Sequence, residues 1–286
     1  MKSNYRYIVK AFMAMAVIAG TTSCDDFLDR EPMSSISPET YYSTAAQLEA
    51  NLNDEYPNVL PSFGQWTYGI FGEDKGTDNQ IEVNANDRYT QDRWKVPHSE
   101  SDNWKFERIY RINFFLSEAL PKFGEDMSGS QNTISGSVAT IKHYIGEMYF
   151  LRAYEYFKKL QLFGDFPIIN QPLADEMEAL REASKRFPRN EVARFIISDL
   201  DKAYAYMSDV DMATTRINKD AAMLVKSRVA LFEATWLQNF KGTAFVPGGE
   251  GWPGASLHNN YQYPSGNLDN EVKYFLEQAV EASKLV

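Results

Sequence analysis

Chemically reactive side chains are scarce in this sequence of 286 residues. Cys24 is the only cysteine, so no internal disulfide can form and no paired-cysteine metal or redox motif exists. The histidines, His98, His143 and His258, lie too far apart in the chain for a zinc spacing. There is no Gly-x-Ser-x-Gly elbow, no phosphate loop and no dinucleotide fingerprint. Asp74 to Asp78 has part of a calcium loop but lacks its alternating acidic order and a distal bidentate glutamate in register. Carboxylates such as Glu73 and Asp78 are plentiful, yet nothing in their spacing sets two across a cleft for glycoside hydrolysis. The expectation is no enzyme, no metal and no cofactor. Positive charge is short too: 29 Lys and Arg stand against 39 Asp and Glu, and the net charge of −10 argues against nucleic acid as a partner. Such a surface suits a neutral ligand. No apolar run approaches the roughly 20 residues of a membrane-spanning helix.

The chain does have an organised start. Lys2, Arg6 and Lys10 form a basic region before the apolar run Ala11 to Ala19, and small residues Thr21, Thr22 and Ser23 then precede Cys24. Residues 1–23 therefore read as a lipoprotein signal peptide, with Cys24 as the lipidation site and residues 24–36 as a lipidated tether. Thr21 departs from the usual leucine, and the alternative is an ordinary signal peptide beside an incidental cysteine.

Residues 37–286 carry helical periodicity and read as one mainly α domain. From Ile141 through Tyr144, Ile145, Met148, Leu151, Tyr154, Phe157 and Leu160, apolar residues cover nearly the whole circumference, which predicts a central helix packed on several sides. Gly146 and Ala153 share one seam and predict a second helix in close approach. Gly164 should cap this helix and Pro167 prevent its resumption. Glu147, Arg152 and Glu155 are the charges in its densest apolar part; the expectation is that Glu155 pairs with Lys159 while the other two tie neighbouring helices together.

Thr44 and Gln47 form a capping box ahead of Leu48, Leu52 and Val59, with Pro57 expected to kink or end the helix. Ser99 to Asp102 should cap a helix with the stripe Ile109, Ile112, Leu116 and Leu120, ending before Pro121 and pairing antiparallel with the central helix. A second hairpin is expected from Val192, Ile196, Leu200, Ala203 and Met207, then, after Asn218 as a cap, Ala222, Val225, Val229, Phe232 and Trp236. The last helix, from near Asp269, carries Val272, Phe275, Leu276, Ala279, Ala282 and Val286; if helices stack in pairs it lacks a partner and leaves this stripe uncovered, as in a C-terminally truncated chain.

Two stretches break the pattern. Residues 61–97 interleave Trp66, Tyr68, Tyr89 and Trp94 with Asp74, Asp78, Asn79, Asp87 and Arg88, the mixture a sugar site uses: flat rings for the apolar face of a pyranose, acceptors and donors for its hydroxyls. Residues 240–267 repeat the theme with Trp252, His258, Tyr261 and Tyr263. In both, the alternative is that the rings only pin the loop to the helices.

The segment GEMYFLRAYEYFKKLQLFGDFPII resembles the signature helix of the SusD/RagB-like family of surface nutrient-binding lipoproteins. Four further segments agree in order and spacing: TSCDDFLDREP, WKFERIYRINFFLSEA, FPRNEVARFIISDLDKAYAYM and RINKDAAMLVKSRVALFEATW. The resemblance implies tetratricopeptide-like stacked helix hairpins with long irregular loops, a glycan-binding face and a TonB-dependent, SusC-like outer-membrane transporter as partner. It also implies ligand contacts at Asp78, Asn79, Arg88 and Trp94, and an outer-leaflet location favoured by Asp25 and Asp26 after Cys24. The expected function is capture of oligosaccharide for import; the alternative is a helical scaffold that binds only proteins.

Overall fold

A computed structural model describes residues 41–61, 80, 103–124, 126–208 and 212–286. The fold below belongs to the unit Tyr42–Val286. Its described residues form seven α-helices: α1 (Ala45–Val59), α2 (Glu107–Phe123), α3 (Val138–Phe163), α4 (Met177–Ala183), α5 (Arg189–Tyr206), α6 (Lys219–Asn239) and α7 (Leu268–Ser283), with a 3-10 turn at Pro253–Ser256. Among those residues no strand exceeds a single bridged position. The chain is mainly α, built of stacked helix hairpins with long irregular connections.

Helix α3 is central, as its sequence predicts: 17 of its 26 residues are buried, and α1, α2 and α5 all pack on it. Ser137 caps its start and Gly164, at φ +67°, closes its end where a side chain would be strained. Val138, in the first turn and also expected on this circumference, is exposed, and Tyr154 is only half-buried. On the Gly146 seam α5 comes so near that an added Cβ would lie 2.8 Å from the Met207 backbone nitrogen. Pairing runs antiparallel along this contact, from Gly146 beside Met207 to Arg152 on Asp199 and Tyr156 edge-on to Phe195 at 4.9 Å. Helix α2 also lies antiparallel to α3, with Asn103 at Lys159 and Asn113 at Arg152.

The capping box at Thr44 and Gln47 forms as expected. Proline stops act later than the sequence suggests, because α1 runs past Pro57 to bury Val59 and α2 past Pro121 to bury Phe123. Helix α2 also begins later, at Glu107 behind an N-cap position, Phe106, that makes no side-chain cap. The expected caps, Ser99 to Asp102, lie outside the described residues. The cause of the later start is aromatic: Trp104 packs edge-on to Phe163 at 4.8 Å, and Phe106 stacks on Phe166 at 5.2 Å. Those contacts hold residues 103–106 in non-helical backbone.

Helices α5 and α6 form the second hairpin, and Asn218 caps α6 through the Ala221 N–H. Val192, Ile196, Leu200, Ala203 and Met207 are buried as expected. On α6 the buried seam is Ala222, Met223, Lys226, Val229, Ala230, Glu233, Ala234 and Leu237, so Val225, Phe232 and Trp236 turn out of the seam they were expected to join. Helix α7 is not without a partner. It packs along α6, buries Phe275, Ala279 and Ala282, and leaves Leu276 (39%) and Val280 (52%) exposed.

Glu271 joins α7 to α5. It is fully buried and takes Arg194 Nε at 2.7 Å, Arg194 Nη2 at 2.8 Å, Asn190 Nδ2 at 3.0 Å and the Ser265 N–H at 3.1 Å. Burial works to raise this carboxyl's pKa, but the bonds from Arg194, Asn190 and Ser265 outweigh it and hold it below the ordinary 4.5. A depressed folded value gives stability that is present above pH 4.5 and lost as pH falls through the folded value. Glu271→Gln should therefore cost about 2 kcal/mol at neutral pH. Urea midpoints of the two proteins should converge as pH drops below 4.5; a gap unchanged by pH would refute the assignment.

Candidate functional site

The sequence-derived site residues Asp78, Asn79, Arg88 and Trp94, and the lipidation site Cys24, lie outside the described residues. The framework around loop 61–97 is described. Its preceding helix, α1, ends at Val59, whose carbonyl accepts Lys158 Nζ; on the following side the Asn103 carbonyl accepts Lys159 Nζ at 2.8 Å. Consecutive lysines on α3 thus hold the backbone on both sides of residues 61–102. Glu155 sets them, lying 3.3 Å from Lys159 and 3.6 Å from Lys158. The expected Glu155–Lys159 pair is present, and its use is to fix the two stems on the most buried helix.

The other two charges of α3 also tie helices. Glu147, fully buried, accepts Arg216 Nε (2.8 Å) and Nη2 (2.6 Å) and the Tyr56 hydroxyl (2.8 Å), joining α3 to α1 and to the segment before α6. Its neighbour His143 accepts the Ser208 N–H at Nδ1 (3.2 Å), so Nε2 carries the hydrogen, which faces the Ile217 carbonyl (3.0 Å) and Glu147 (2.9 Å). Burial, then the charge of Glu147, pushes the Tyr56 phenol above its ordinary range.

In loop 240–267 the packing alternative holds for the predicted rings. Trp252 is buried, donates Nε1–H to Asp165 Oδ2 at 2.7 Å and stacks on His258. His258 Nε2 meets the Arg186 carbonyl, Tyr261 donates to Asn190 Oδ1 at 3.1 Å, and Tyr263 donates to the Pro247 carbonyl at 2.5 Å. These side chains shape the loop.

Shaping it creates a cleft of about 500 Å³ between the C-terminal ends of α3 and α6, the start of α5 and this loop. Next to the lining residues Asp165 and Arg186, the backbones of Phe166 and Phe187 exchange two hydrogen bonds (3.2 and 3.1 Å) that hold the two segments together. Pro188 cannot cap α5, so Asp165 does it from outside, accepting the Arg189 N–H at 2.9 Å. Arg189 is buried, binds Glu233 through Nε at 3.0 Å and Nη2 at 2.9 Å, and lies 4.1 Å from the Trp236 ring centroid. Burial raises the Asp165 carboxyl above its ordinary value, against the pull of Trp252, the Arg189 N–H and the charges of Arg189 and Arg186. The rim is apolar: Phe245, Leu162 and Leu257. Sequence reasoning missed this rim. The available signal was Trp236, an aromatic one step off the α6 seam, and Leu162, an apolar residue beyond the buried run of α3. Rings beside an acceptor and a donor can stack on and hydrogen-bond a polyhydroxylated ligand. Among the described residues no group of three His, Cys, Asp or Glu could hold a metal ion, and no helix is long and apolar enough to cross a membrane.

A SusD-like family model, described as starch-binding associating with outer membrane, matches residues 26–231. The chain belongs to the SusD-like family. SusD-like protein P2 of Formosa agariphila is 25% identical over 253 residues, covering 84% of this chain and 46% of that protein. SusD-like protein P25 of the same organism is 25% identical over 233 residues, covering 75% of this chain and 41% of that protein. The chain thus spans less than half the length of these SusD-like relatives. Among solved structures, a SusD-like carbohydrate binding protein from Bacteroides vulgatus is 17% identical with a TM-score of 0.46, covering 68% of this chain and 43% of that one. A laminarin binding SusD-like protein is 20% identical with a TM-score of 0.37, covering 48% and 27%.

Proposed function

We propose that this SusD-like protein captures an oligosaccharide or similar nutrient outside the cell and makes or breaks no bond in it. The observation that carries this reading is the match of residues 26–231 to a family described as starch-binding and outer-membrane associated. In this reading residues 1–23 are removed, Cys24 is lipidated, residues 24–36 tether the domain to the outer leaflet, and residues 37–286 bind. Asp78, Asn79, Arg88 and Trp94 contact the ligand, which passes to a TonB-dependent transporter. The framework supports it, since a loop that binds must be presented by stems that do not move, and Lys158 and Lys159 fix both. Calorimetric titration against a panel of polysaccharides tests it. One glycan should bind without release of product, and Trp94→Ala should weaken it roughly tenfold through loss of stacking. Silence across the panel with co-purification of a protein partner would favour the scaffold reading, and unchanged affinity would remove Trp94 from the site.

A further inference from the structure

We propose that the cleft between the ends of α3 and α6 is a second carbohydrate site, taking a neutral pyranose and built from residues outside loop 61–97. Its volume of about 500 Å³ falls within the roughly 300–1,000 Å³ range of small-molecule sites. Three large apolar side chains are exposed on its rim: Phe245 at 61%, Leu162 at 57% and Leu257 at 54%. Gathering them around one concavity gives the C–H face of a sugar ring a surface to cover.

The polar groups in the cleft have capacity left over. The Asp165 carboxylate is fixed by the Trp252 indole N–H and the Arg189 N–H. An ionised carboxylate offers about four lone-pair sites, so this one can still accept from hydroxyls. The Arg186 guanidinium lies 4.6 Å from the Trp104 ring centroid and makes no hydrogen bond or ion pair with the other described residues, which leaves its N–H donors available. Both line the cleft, and Arg186 lies near enough for its charge to act on Asp165. A fixed acceptor near a held donor suits the hydroxyls of a pyranose, each of which both donates and accepts. The other cation, Arg189, is already spent on Glu233. Arg186 and Arg189 are thus matched by Asp165 and Glu233, so the cleft holds no excess positive charge to favour a sugar that carries its own carboxylate or sulfate.

The test is calorimetric titration of the full chain with maltoheptaose, methyl pyranosides and galacturonate. Phe245→Ala, Arg186→Ala and Trp94→Ala are titrated beside the parent, with unchanged melting temperatures as the control for folding. Phe245→Ala and Arg186→Ala should each weaken neutral-sugar binding roughly fivefold to tenfold, Trp94→Ala should leave that component intact, and galacturonate should bind more weakly than the neutral sugars. Binding lost only in Trp94→Ala overturns the cleft and leaves the loop reading standing. Binding lost only in the two cleft variants supports the cleft and removes the loop. A preference for galacturonate, or no binding by any probe, overturns the proposal.

Discussion

Arg152→Ala should lower the stability of the protein by about 3–5 kcal/mol, because it leaves a buried carboxylate without its partner. Arg152 is buried in the middle of α3, and its donors reach three other parts of the chain. Nε and Nη2 bind the two oxygens of Asp199 on α5 at 2.6 and 2.8 Å; Nη1 binds Asn113 on α2 at 2.9 Å and the Asn170 carbonyl at 3.1 Å. The guanidinium also lies 5.3 Å from the ring centroids of both Tyr149 and Phe195. Asp199 is fully buried, and without Arg152 its nearest cation is Lys202 at 3.8 Å. A lysine at position 152 cannot reproduce the planar two-pronged contact, so Arg152→Lys should recover only part of the loss. Arg152→Met with Asp199→Leu removes both charges and should be far less damaging than Arg152→Ala. Urea unfolding of the four proteins measures this; a loss below about 1 kcal/mol in Arg152→Ala would place the network among weak surface pairs.

How much of this was legible depends on whether a feature is local. The capping box at Thr44, the Asn218 cap and the Gly164 stop are set by residues within one turn, and each forms where the sequence puts it. The three charges of α3 were legible for a different reason: a charge on a helix apolar all round must find a partner, and the i,i+4 spacing gave Lys159 to Glu155, whereas the partners of Arg152 and Glu147 could not be read. Asp199, Arg216 and Tyr56 are 47, 69 and 91 positions from theirs. Misreadings arose where a distant contact overrides a local signal. Trp104 and Phe106 are claimed by Phe163 and Phe166, which delays α2 to Glu107. Trp236 fits the α6 spacing, yet Arg189 and the cleft draw it off the seam. Ring content marked loop 240–267, but Trp252 and Tyr261 are bound to Asp165 and Asn190, while Phe245, not singled out, stands at the rim.

Gly146 is where the two helices that organise the fold can be forced apart by the smallest change. In an unconstrained helix, alanine is favoured over glycine by roughly 1 kcal/mol, so a substitution judged on propensity alone would stabilise α3. Here the added Cβ would sit 2.8 Å from the Met207 nitrogen, 2.9 Å from the Ala203 carbonyl oxygen and 2.9 Å from Met207 Cγ. Two of these three atoms are backbone and cannot rotate away, so the end of α5 must move. That movement strains the Tyr149–Tyr206 stack, at 5.7 Å, and the Arg152–Asp199 bonds one turn further along. Gly146→Ala should therefore destabilise in spite of its better propensity, and Gly146→Val, which adds two methyl groups and a β-branch, should lose about 3 kcal/mol. Thermal and urea unfolding of both variants decide the matter. A more stable Gly146→Ala protein would mean that α3 and α5 are not in backbone contact, and the glycine would then have no packing reason to stand in the most buried of the described helices.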